Sequence, residues 1–276
     1  MIPDLLLVLK GSIACLVMAI GLGSEPGDLL YLFRRPLLLA RSLLAMYVLV
    51  PMAAVVVVLV LPVPPPIRAA LLVLAVSAGA PLLPKKLKAI GDAQYVFSLL
   101  VLSSLLAIVL VPVWLALLGQ WFGGDAGVGP LIAAMAIGKA FLLPLAVGLA
   151  LRRAITAKAD WLSQRLLAIA GVTLLCAALM LLATGWRVFT QMGWQGLSGL
   201  AVFLMVALAI GHLLGGPRVE DRTVLAIACA TRHIGIAVLV ATHFPGTRTV
   251  VLVAGYVVTA AIVSMTYLHL RRNDVT

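Results

Sequence analysis

Apolar runs of about 20 residues recur along the whole chain, separated by short charged joins, and no other feature constrains its fold as strongly. A run of that length, wound at about 1.5 Å per residue, matches the roughly 30 Å hydrocarbon core of a bilayer. In lipid every backbone N–H and C=O must be satisfied internally, and these runs lack strand alternation, so helices are the solution. Composition agrees. Hydrophobic residues make up 64% of the chain and charged residues 11%, with mean hydropathy +1.20, against roughly 25% charged in a soluble domain. The sequence reads as an all-α, polytopic transmembrane bundle in one membrane domain.

Nine spans are expected, at about 3–22, 36–62, 65–90, 92–118, 129–151, 161–185, 195–215, 219–244 and 249–270. Pro51 predicts a kink in the second. The third carries Ser77, Gly79, Pro81 and Pro84 and is not expected to form one continuous helix. Pro62 to Pro66 make a stiff turn between spans two and three. The net charge of +11 is distributed by topology. Fourteen of the 20 basic residues sit in alternate joins, around Arg34, Lys85, Arg152, Arg218 and Arg271, and the other joins hold only Arg68, Arg187 and Arg248. The positive-inside rule then puts the N-terminus outside and the C-terminus in the cytoplasm, in the inner (plasma) membrane. This accounts for the basic balance without a nucleic-acid partner. Cys15, Cys176 and Cys229 all fall within spans, so no disulfide framework is implied. Asp4 and Lys10 interrupt the pattern of a cleaved leader, and span one is expected to stay in the mature protein.

The chain also looks doubled. Span three breaks at SAGAPLLP and span eight at ACATRHIG, each followed by an uninterrupted span. Residues 1–118 and 161–271 then form two repeats of opposite orientation, with span 129–151 unpaired. Paired broken helices point to a central transport site, because exposed helix ends bring partial charges to mid-membrane. The plainer reading is two kinks in an ordinary bundle.

Three cations fall within spans: Lys10, Lys139 and Arg232. All nine acids lie near span ends or in joins, so none is available inside to pair with them. One functional reading has the cations line a polar cavity and bind an anionic substrate. In the other, Arg232 or Lys139 stands in for a bound cation at a helix break. Lys10, near a span end, can instead snorkel to the interface. His233 is open between a packing residue and a titrating relay. Neither a P-loop, an HExxH nor a carboxylate pair at metal-ligand spacing occurs, so no enzyme, cofactor or metal site is expected.

The ATRHIGIA segment, the FRRP after span one, LVPMAAVV in span two and the AIGDAQYVFSLLVLSS run, in that layout, resemble the bile acid:sodium symporter family. The resemblance implies two helical domains, broken helices three and eight crossing in one of them, and alternating access by rigid movement. It also implies sodium ligands that this chain lacks. A Ser-Asn pair of the family falls on Leu82 and Leu83, its span-four hydroxyls on Val96 and Leu100, and its Glu and Gln-Asn on Ala228, Arg232 and His233. The expected function is secondary transport of a small organic anion, not coupled to sodium through the family's usual sites. The coupling ion stays open, with sodium disfavoured and the proton a candidate. Thr231, Ser77, Ser98, Ser103 and Ser104 are candidate lining groups beside Arg232, His233, Lys139 and Lys10. Hydroxyls within spans commonly bond their own helix instead. A non-transporting sensor or partner subunit on the same scaffold is the alternative.

Overall fold

The computed structural model describes residues 2–25, 27, 30–77, 93–122, 130–190, 193–232, 237 and 248–273. Every regular element among them is a helix. We number the principal ones α1 (Ile2–Gly23), α2 (Pro36–Val60), α3 (Pro65–Val76), α4 (Ala93–Phe122), α5 (Pro130–Ala154), α6 (Thr156–Thr184), α7 (Gly193–Leu214), α8 (Val219–Ala230) and α9 (Arg248–Asn273). A five-residue helix, Trp186–Thr190, joins α6 to α7. Helices α2 and α6 and residues Gln195–Leu214 of α7 are each long and apolar enough to cross a membrane. A fourth such stretch in α4, Gln94–Ser103 plus Leu105–Leu118, is bent by 45°.

The helices pack in two groups. Helix α1 lies against α5 and α6, while α2, α3, α7 and α8 form the other group; α4 meets α5, and α9 meets both α6 and α3. Small residues set the closest approaches, as they do where lipid leaves no hydrophobic drive between helices. A Cβ on Gly148 of α5 would strike the Met18 carbonyl of α1, and one on Gly211 of α7 would strike the backbone of Leu225 and Ala226 in α8. Near the α5–α6 join, Arg152 donates to the Leu22 carbonyl at 2.9 Å, to Asp160 at 2.9 Å and to Glu25 at 2.8 Å. The acids are largely exposed, so these contacts fix the end of α1 more than they add stability.

Helices α3 and α8 differ from the rest. Each is 12 residues long, about 18 Å, a little over half the hydrocarbon thickness. Both are enclosed: Ala70 to Ser77 and Thr223 to Arg232 are buried without interruption. A helical stretch buried on every side, as these C-terminal parts are, suits only a place inside a bundle. Each therefore carries its C-terminal end into the interior.

Candidate functional site

A helix leaves its last four carbonyls without intrahelical donors, and its C-terminus carries about half a negative charge. At the end of α3, the Ser77 N–H donates to Val73 at 3.1 Å and Leu74 at 3.2 Å, and its Oγ donates to Val73 at 2.6 Å. At the end of α8, the Thr231 N–H and Oγ1 donate to Ile227 at 2.7 and 2.6 Å. Both residues leave their helices alike, Ser77 at φ −75°, ψ 87° and Thr231 at φ −94°, ψ 92°.

Arg232 follows at once and serves the other helix. Its Nε donates to the Leu74 carbonyl at 3.0 Å, and its Nη2 donates to the carbonyls of Met46, at 3.1 Å, and Ala75. The side chain is 1% exposed. Two of these acceptors are carbonyls of the α3 terminus, of which Leu74 also receives the Ser77 N–H, and the third comes from α2. Hydrogen bonds to a charged donor contribute about 1.5–3 kcal/mol each, which offsets the several kcal/mol that burying a lone guanidinium costs. Nη1 is also buried and has no hydrogen-bond partner among the described residues.

Pro51 explains why Met46 has a carbonyl to offer. Residues Ala45–Leu49 form a π turn, in which the Val50 N–H bonds the Ala45 carbonyl. Pro51 has no N–H, so it supplies no donor to Tyr47 four residues back or to Met46 five residues back. Arg232 takes the Met46 carbonyl, and the Trp114 indole donates to Tyr47 at 2.9 Å. The Tyr47 hydroxyl donates in turn to the Ser103 carbonyl at 2.5 Å, where α4 bends. A side chain entering the helix ladder is an ordinary cause of such a bend. On the other side, the Tyr256 hydroxyl of α9 donates to the Ala230 carbonyl at the end of α8.

The candidates from sequence distribute unevenly around this centre. Arg232, Thr231 and Ser77 lie together at the two helix ends. Ser103 is buried in α4 and bonds its own helix at Leu100, 3.0 Å away; Ser98 accepts the Leu32 N–H at 3.2 Å. Ser104 lies in α4, and its side chain is outside the described set. Lys10 on α1 and Lys139 on α5 are exposed on the helix surface and take no part in the cluster. His233, Leu82 and Leu83 lie outside the described residues, whereas Val96, Leu100 and Ala228 are buried apolar positions. Sequence reasoning missed Met46, Leu74 and Ala75, whose contribution is backbone only. It also passed over Tyr47 and Tyr256, although a tyrosine inside an apolar span signals a buried hydroxyl in need of a partner. Asp221 is a further addition: this acid in the first turn of α8 is only 5% exposed. With Arg35 and Arg41 it lines a separate cavity of about 240 Å³.

A family model described as the sodium bile acid symporter family matches residues 12–192. The chain belongs to this family. It is therefore a multi-pass membrane protein of a transporter family, and no curated protein matches it as a relative. The sodium bile acid symporter match includes α3 and the Met46 carbonyl and ends before α8, so Arg232 lies beyond it.

Proposed function

We propose that this chain carries a small organic anion by alternating access, without sodium at the positions its family uses. Arg232 supplies as a fixed charge what a sodium ion would bring with it. The observation that carries this reading is the set of three carbonyls, from two helices, closed on one guanidinium. Converging carbonyls at a helix C-terminus are cation ligands, and here the cation belongs to the protein. A sodium ion about 4 Å from Arg232 would meet about 4 kcal/mol of repulsion at an effective dielectric of about 20, roughly a thousandfold in affinity. The Nη1 donors, without a partner among the described residues, suit a carboxylate or sulfonate oxygen.

The like geometry at Ser77 and Thr231 supports reading residues 1–118 and 161–271 as inverted repeats whose half-helices enter from opposite sides. On that reading the nine spans set the N-terminus outside. Uptake of radiolabelled organic anions into proteoliposomes tests the proposal. Replacing sodium with choline is expected to leave the rate unchanged, and ligand-induced thermal stabilisation is expected to vanish in Arg232→Ala. Uptake that requires sodium and saturates with it would overturn the reading.

A further inference from the structure

The charge of Arg232 stays with the protein, since the residue is covalently part of the chain and held by carbonyls of both α2 and α3. Among the described residues, the ionisable groups acting on it are Cys229, Tyr256 and Tyr47, none of them a carboxylate. The buried acid of the preceding helix, Asp221, lies nine positions before the end of α8 at Ala230, about 14 Å along the axis. Among the described residues the site is thus cationic when empty, and Nη1 has no hydrogen-bond partner there. A bound monoanion makes it neutral.

We infer that the chain is an electrogenic anion carrier, and that an energised membrane drives its substrate outward. The inference rests on the sodium-independent function proposed above. With neither a sodium ion nor, on this further inference, a proton travelling alongside, each turnover moves one negative charge. A symporter carrying one sodium per monoanion is indifferent to the membrane potential, and one carrying two imports with its help. Here the sign is reversed. An inside-negative potential draws the empty, positively charged site toward the cytoplasmic face, where it meets substrate; the loaded site, being neutral, crosses without opposing the field. Each 100 mV then sustains about a fiftyfold concentration ratio, higher outside.

The experiment uses the full chain in sodium-free proteoliposomes with potassium gradients clamped by valinomycin. Labelled taurocholate, cholate, benzoate and lactate are the probes, and uptake by protein-free vesicles is subtracted. An inside-positive potential of 100 mV is expected to concentrate at least one probe about fiftyfold, and reversing the gradient to exclude it to the same degree. Uptake that responds to an acid-outside pH gradient at zero potential, or that ignores the sign of the potential, overturns the inference while leaving sodium independence standing. Uptake that needs sodium, or no uptake of any probe, removes the function beneath it as well. Arg232→Lys keeps the charge and is expected to keep the potential dependence at lower rate; an Arg232→Lys variant that has lost only the potential dependence counts against the inference.

Discussion

The buried ends of α3 and α8 are alike in geometry and unlike in chemistry. Each is closed by a hydroxyl residue that turns back on its own helix four residues earlier, in nearly the same backbone conformation. Beyond that residue the two ends part. The carbonyls at the α3 end receive a full positive charge from Arg232, while the Ala230 carbonyl at the α8 end receives the neutral hydroxyl of Tyr256. The next residue in sequence is Ala78 after Ser77 and Arg232 after Thr231. One position thus decides which half is charged. Two helix ends alike in backbone conformation can differ in charge.

Abolishing the charged half of the comparison should have the largest effect. Arg232→Ala strands the Ala75 and Met46 carbonyls in an enclosed core and leaves Leu74 only the Ser77 N–H. An unsatisfied buried polar group costs about 1–3 kcal/mol, so a total near 3 kcal/mol or more is expected even after some rearrangement. That corresponds to a fall in Tm of roughly 6–12 °C for a chain of this size, readable by thermal unfolding in detergent. Anion transport should be lost with it. If a sodium ion enters the vacated place, the variant alone should be restabilised by sodium chloride relative to choline chloride, which would make the two residue-232 states direct counterparts.

The neutral half should respond less. Tyr256→Phe keeps the ring that packs near Phe203, with centroids 6.1 Å apart, and removes only the donor to Ala230. A loss of about 1–2 kcal/mol is expected, with potential-driven transport retained. Pro51→Ala probes the third acceptor. It restores an N–H that competes for the Met46 and Tyr47 carbonyls, so the π turn should relax and Arg232 should lose one partner, at a cost of about 1 kcal/mol. Slower transport with a fall in Tm of only about 2–4 °C is the expected result. A variant that transports normally would show that the α2 carbonyl is incidental to the site.

The membrane class and most helix positions were legible in the sequence because length and hydropathy report directly on burial in lipid. Arg232 was legible because a cation inside an apolar span has few harmless explanations. Its partners were not. They are backbone carbonyls, and every residue has one; what frees them is the end of α3 at Ser77 and the missing N–H of Pro51, which meet Arg232 only through tertiary packing. The same limit explains Lys10 and Lys139, which hydropathy places in spans alongside Arg232 but which the fold leaves on exposed helix surfaces. Asp221 shows the converse. It sits at a span end in sequence, yet the beginning of α2 and the Gly215–Pro217 join cover it.

The smallest expected effect gives the finest test of the likeness between the two ends. Ser77→Ala and Thr231→Val each delete a hydroxyl that donates to a carbonyl also served by the backbone N–H of the same residue. The acceptor keeps a partner in both cases, so neither change leaves a buried carbonyl bare. Each should therefore shift stability by no more than about 0.5–1 kcal/mol, the scale of one ordinary hydrogen bond, and the two shifts should match. If these hydroxyls only close their helices, anion uptake stays within about twofold of the unmodified chain, as a change of a few tenths of a kcal/mol allows. A large transport defect in one variant without the other, at matched Tm, would mean that its hydroxyl turns toward substrate during the cycle, and the equivalence of the two ends would then hold only for the resting fold.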